Sequence, residues 1–199
     1  HRKLWEYCFI AQGLFERGML RPGRRGLGFG VGQEPLVALF AGYGCDLLAT
    51  DVHPDAVKGL GWIETGQHST SLRSLNERGI CDPDAFAQRV QFRYLDMNKI
   101  PRDLEGFDFV WSCCALEHLG SIARGKKFIL NALKCLRPGG VAIHTTEFNL
   151  SSSTSTLYHR WTALFGRRDI EKIVRVSRRR GFKIEIDYSL GCQEADRFV

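Results

Sequence analysis

Gly26-Leu27-Gly28-Phe29-Gly30-Val31-Gly32 decides the reading of this chain. Residues 25–29, which overlap its start, are predicted to form a short strand running into the glycines. The residues after it, 35–42, read as a helix, with Gln33 and Glu34 at its start. A strand that runs through glycines into a helix suits a ligand that must come close to the backbone. No Cβ stands in its way, and the helix points its first N–H groups at it. Glycine turns are also common in purely structural loops, so the flanking elements carry much of the weight.

The same alternation continues along the chain. Strands are predicted over 46–50, 90–95, 107–112, 141–145 and 182–188. Helices are predicted over 54–60, 71–78, 83–89, 122–136 and 168–180, the 122–136 helix being stopped by Pro138-Gly139-Gly140. Apolar residues at helical spacing add an amphipathic helix over 4–20, ended by Pro22-Gly23, and the serine-rich 150–156 stretch reads as a loop. The fold class is therefore α/β, a doubly wound, mostly parallel sheet with helices on both faces. The expected organisation is an N-terminal helix over 1–23 on the lid or substrate side, then one domain over 24–199 carrying an inserted segment at about 61–89.

In such sheets ligands bind beyond the carboxyl ends of the strands. Asp51 ends the second strand at the spacing from the glycine loop at which a carboxylate meets ribose hydroxyls, with Val52 beside it. As an alternative, Asp51 caps the turn at Pro54. Asp96 ends the third strand and is placed to accept from an adenine amino group, with Met97 packing on the ring; alternatively, it caps the turn before Pro101. A glycine loop, an acid and an acid, in that order at three strand ends, are more specific together than apart.

These residues resemble the class I S-adenosylmethionine-dependent methyltransferases. The likeness runs from about Arg24 to Tyr188. It includes Ala-Thr-Asp (49–51), Tyr-Leu-Asp-Met (94–97), Phe-Asp-Phe-Val-Trp-Ser (107–112), Ala-Leu-Glu-His-Leu (115–119) and Leu-Arg-Pro-Gly-Gly (136–140), a frequent family turn between a helix and the fifth strand. The resemblance implies S-adenosylmethionine as cofactor and S-adenosylhomocysteine as product. It implies that Gly28, Gly30 and Gly32 line the methionine portion, that Asp51 and Val52 hold the ribose, and that Asp96 and Met97 contact adenine. Ser112 and Cys113 would flank the cofactor. The family usually has an acid two positions before the first of the three glycines, where it helps hold the cofactor's amino end. Gly26 stands there instead, and Glu34 or the N-terminal helix is the expected substitute. The 66–86 link is longer than the family's, and a seventh, antiparallel strand is not evident. Finer details, including His-Thr-Thr-Glu-Phe-Asn (144–149), are similar to uncharacterised bacterial methyltransferases, some associated with surface-polysaccharide gene clusters.

Methyl transfer to oxygen or nitrogen is helped by a general base. Glu117, His118, His144 and Glu147 follow strand ends. His118 is the first choice, with His144 and Glu147 behind it. A structural role for His118, bonded to a backbone carbonyl, weighs equally. No metal-ligand spacing is recognisable, so no metal is expected. The Cys113-Cys114 pair reads as an apolar strand end rather than a nucleophile.

Composition bounds the rest. The 199 residues suit a single core, with 44% hydrophobic and 25% charged residues, both ordinary for a globular protein. The seven cysteines form no C-x-x-C pair and suggest a reducing, cytoplasmic compartment. No apolar run is long enough to span a bilayer. A net charge of +6 permits an acidic partner. The cations are dispersed, however, and the two compact groups, Arg21/Arg24/Arg25 and Arg178–Arg180, lack interleaved aromatics, so nucleic acid is not the expected partner. The expected acceptor is a small molecule or glycan. An RNA methyltransferase, a nicotinamide oxidoreductase and a degenerate cofactor-binding protein are the alternatives.

Overall fold

The computed structural model describes residues 2–57, 72–152, 157–159, 162–184, 186 and 188. Its centre is β1 (Arg25–Phe29), flanked by β2 (Asp46–Asp51) and β4 (Phe107–Cys113). With β3 (Val90–Tyr94) and β5 (Leu136–Thr145) these make a five-stranded sheet in the order β3-β2-β1-β4-β5, every pair parallel. The chain moves outward from β1 to β3, then crosses back to β4, so the topological switch lies between β1 and β4.

Helices cover both faces. On one side α1 (Arg2–Glu16), α2 (Leu36–Gly42) and α3 (Pro83–Arg89) enclose a core containing Ile10, Leu14, Phe40, Phe109 and Trp111. On the other, α4 (Ile122–Ala132) and α5 (Arg167–Arg179) enclose a core containing Leu27, Phe29, Val110 and Phe128. The alternation of β4 sends Phe109, Trp111 and Cys113 to the first side and Val110 to the second.

Several boundaries differ from the sequence expectation. α1 stops at Glu16 because Gly18 turns left-handed (φ +64), with its N–H on Phe15 O and the Met19 N–H on Leu14 O, well before Pro22. Of the expected 54–60 and 71–78 helices, the described residues form the 3₁₀ turns Pro54–Val57 and Arg73–Asn76; residues 58–71 lie outside the described residues. α4 ends at Ala132, followed by a 3₁₀ turn, Leu133–Cys135. Leu-Arg-Pro-Gly-Gly does not precede β5 but lies within it as a turn-like bulge, its Gly139 left-handed (φ +79). A register shift between Phe107 and Phe109 accommodates it, and Pro138 sits on an edge strand, where a missing N–H is tolerated. β6 (Leu157–His159) and β7 (Thr162–Leu164) form a small antiparallel pair where no element is predicted. The expected strand over 182–188 is absent among its described residues. The Ile184 carbonyl is taken by Arg178 Nη2 at 2.6 Å instead of a neighbouring strand, and the Tyr188 ring meets Phe148 and the Arg167 guanidinium.

Candidate functional site

The loop leaving β1 turns through two left-handed residues, Gly30 (φ +59) and Gly32 (φ +51), a conformation that side chains strain. It opens onto a cavity of about 750 Å³ at the carboxyl ends of the strands. The walls are the 30–35 loop, Asp51 and Val52 after β2, Leu95–Asn98 after β3, Cys113–Ala115 after β4, and the His118–Leu119 pair beyond. Lys3 and Tyr7 of α1 close one side and residues 74–78 another.

Asp51 is buried and knits the rim together: its Oδ2 accepts the Gly32 N–H at 3.2 Å and its Oδ1 the Val52 N–H at 2.8 Å. Asp96 caps the 3₁₀ turn Met97–Lys99 through the Asn98 N–H at 2.8 Å, so the capping alternative is realised while the residue still lines the cavity. Gly30 passes close to the neighbouring strand ends. A Cβ there would stand 3.0 Å from Ala115 Cβ and 3.3 Å from Met97 Sδ. His118 lines the cavity, with its Nδ1 3.4 Å from Thr162 Oγ1.

Other expected residues are not at this rim. Gly28 lies beneath it, where a Cβ would meet Trp111 Cζ2 at 2.4 Å. Ser112 is fully buried, and its Oγ bonds His144 Nδ1 at 2.8 Å. The His144 ring packs edge-on against Phe128 of α4, its Nε2 is buried without a partner, and burial pushes it down to about 4. Ser112 and His144 are therefore brought together, but away from the cavity. Glu147 does not line it either; its carbonyl accepts the Phe165 N–H. Glu117 is buried with Oε2 on Thr146 Oγ1 at 3.2 Å, and burial raises its carboxyl.

The structure adds residues that sequence reading did not assign. Glu6 of α1 is buried. It accepts from Cys113 Sγ at 3.1 Å and Thr145 Oγ1 at 3.4 Å, tying α1 to the ends of β4 and β5. Burial, together with the Glu34 charge and the Glu6 bond, raises the Cys113 thiol, which weighs against a thiolate. Cys114 is left-handed (φ 45), held by its N–H on Thr145 O and Oγ1, both at 3.1 Å. Among the described residues no three His, Cys, Asp or Glu side chains gather as metal ligands. No helix there is long and apolar enough to cross a membrane.

Comparison with known proteins fits this geometry. Residues 27–144 match the family described as "Methyltransferase domain". No curated protein sequence matches the chain. Similar solved structures include a Galdieria sulphuraria protein assigned as a sarcosine dimethylglycine methyltransferase (19% identity, TM-score 0.51, covering 72% of this chain and 47% of that one). The [4+2]-cyclase SpnF is another (19%, 0.58, 84% and 56%). A third is the magnesium protoporphyrin IX methyltransferase of Synechocystis PCC 6803 with bound SAH (15%, 0.58, 85% and 70%). The chain spans about half the length of the first two. At these identities the structural likeness speaks for the fold, whereas the family match covers more than half of the chain and includes the glycine loop and both strand-end acids. The chain belongs to the methyltransferase domain family, of the class I S-adenosylmethionine-dependent kind.

Proposed function

We propose that the cavity binds S-adenosylmethionine and that the protein transfers its methyl group to an oxygen or nitrogen atom of a small-molecule or glycan acceptor, leaving S-adenosylhomocysteine. The observation that carries this reading is the convergence of Gly30, Gly32, Asp51, Asp96, Met97 and His118 on one cavity. The donor set fits the cofactor. Asp51 and Val52 would take the ribose hydroxyls, Asp96 the adenine amino group and Met97 the ring face. Gly30 and Gly32 leave space for the methionine portion, with Cys113 beside it. Gly28 acts from beneath, by admitting Trp111. A cavity of about 750 Å³ is within the usual range for a ligand of this size.

When bound, the cofactor supplies an electrophilic methyl group, so the protein's task is alignment and proton removal. His118, steadied by Thr162, is the general base of this reading and takes the acceptor's proton. Ser112, His144 and Glu147 are left outside the chemistry. The fold alone does not set the reaction, since one similar structure is named a cyclase.

Calorimetric titration with S-adenosylmethionine, S-adenosylhomocysteine and NADH tests the first half. Micromolar binding of the two adenosyl compounds, lost in Asp51→Ala, is expected; no binding, or preference for NADH, ends the reading. For the second half, His118→Ala is expected to lower turnover by about 10²-fold or more, with cofactor affinity near wild type. Equal turnover removes His118 from the mechanism. Acceptor binding that falls steeply with salt would point to RNA instead.

A further inference from the structure

Gly26 and Gly28 leave β1 bare on the face covered by α1 and α2, and aromatic rings of β4 take the space. A Cβ on Gly26 would stand 2.4 Å from Phe109 Cζ and 2.8 Å from Leu47 Cδ2, so a side chain at position 26 would displace a fully buried ring. The same packing presents another carboxylate. Trp111, lying over Gly28, donates Nε1–H to Glu34 Oε1 at 2.6 Å. Glu34 is 5% exposed and lines the cavity next to the glycine loop. Its Oε2 has no hydrogen-bond partner among the described residues.

Among the described residues, the titratable groups around Glu34 are Lys3, Glu6 and Tyr7 of α1, Asp51 of β2 and Cys113 of β4, with Arg78 lining the same cavity. Lys3, the cation that acts on Glu34, is paired with Glu6 at 3.7 Å. A buried carboxyl with one oxygen fixed by a neutral donor and the other unpartnered is a receptor for a small cation bearing N–H groups.

We propose that Glu34, oriented by Trp111, receives the ammonium group at the amino-acid end of the ligand. This rests on the adenosyl ligand proposed above. Burial raises the Glu34 carboxyl to about 8, against the opposing pull of the Trp111 bond and the Lys3 charge, so the ligand-free side chain is mostly protonated at neutral pH. An arriving ammonium group stabilises the carboxylate. Binding then breaks the Glu34 O–H bond, sends that proton to solvent and leaves a carboxylate–ammonium pair.

The test is calorimetry at pH 7 with S-adenosylhomocysteine and with 5′-methylthioadenosine, which keeps the nucleoside but lacks the amino acid. Wild type, Glu34→Gln and Glu34→Asp are each titrated in phosphate and in Tris, whose ionisation enthalpies differ. Glu34→Gln is expected to bind S-adenosylhomocysteine about tenfold more weakly or worse, since a charged hydrogen bond is lost. Its affinity for methylthioadenosine should stay within about twofold of wild type. The buffer-dependent heat that reports proton release should vanish, and Glu34→Asp should restore part of it. Glutamine copies the shape of the neutral carboxyl, and circular dichroism confirms the fold. Wild-type affinity and an unchanged buffer dependence in Glu34→Gln overturn the proposal while leaving the adenosyl reading intact. Failure of wild type to bind either nucleoside overturns both.

Discussion

Asp108 shows how one residue fastens three strands. It accepts the Arg25 N–H at 2.8 Å, Arg137 Nε at 2.7 Å and the Arg24 guanidinium, joining β1, β4 and β5 at the end opposite the cavity. Burial alone would raise its carboxyl; the Arg25 N–H and the two guanidiniums outweigh this and hold it below the usual range. Asp108→Asn should lower unfolding free energy by about 2 kcal/mol, the scale of hydrogen bonds to charged groups, measured by urea titration at pH 7. A depressed carboxyl contributes fully above its unfolded value and loses that contribution as pH falls through its folded value. The gap between variant and wild type should therefore narrow below about pH 4; a constant gap would exclude the charge as its source. Asp108 was not legible as a fastener, because its partners lie up to 84 residues away. That Asp51, Asp96 and Met97 line the cavity was legible because strand ends mark the ligand side of this sheet class. Ser112 misled because adjacent strand residues face opposite ways: Cys113 reaches the cavity and Ser112 the opposite core.

At the scale of elements, β1 and β4 are matched by shape. Gly28 pairs with Trp111 across the strands, and the indole occupies the volume that a Cβ would need. Trp111 is fully buried beside Phe40 and Phe109, so it has little room to retreat. Gly28→Ala should cost about 1–3 kcal/mol as overpacking. The double variant Gly28→Ala/Trp111→Leu should lose less than the sum of the two single losses, a coupling that a double-mutant cycle measures. Strict additivity would show that the glycine serves something other than the indole. The glycine-rich stretch was readable as a turn between strand and helix, and that part holds at Gly30 and Gly32. The reason for Gly26 and Gly28 lies on β4, and a local reading could not supply it. Leu-Arg-Pro-Gly-Gly reads locally as a turn before a strand. The turn falls inside β5 as a bulge because Leu136 on one side of it pairs with Phe107 and Val141 on the other with Phe109, about 30 residues earlier.

The fold class of the whole molecule was readable because alternation is repeated along the chain, so boundary errors do not change the topology. The chemistry of the cavity was less readable, since its charge balance depends on burial. Two buried groups set opposing pH dependences. His144, pushed down to about 4 by burial, binds a proton in the unfolded chain between about pH 4 and 6.5 but not in the folded one, so stability rises with pH through that window. Glu34, raised to about 8 by burial, does the reverse: its contribution is complete below about pH 4.5 and declines as pH rises toward 8. Glu117, also raised by burial, acts in the same sense as Glu34. From about pH 4.5 to 6.5 the imidazole opposes Glu34; from 6.5 to 8 Glu34 titrates without that opposition. The ligand-free protein should therefore lose stability across that upper window, Glu34 contributing at most about 2 kcal/mol. Thermal unfolding at a series of pH values should show this loss in wild type and a shallower one in Glu34→Gln. An undiminished slope in the variant would show that Glu34 is not its source. Because an ammonium ligand ionises Glu34, the rise in melting temperature given by S-adenosylhomocysteine should be larger at pH 8 than at pH 6.5. The ligand would then restore, at the upper end of the window, the stability that the buried carboxyl loses there.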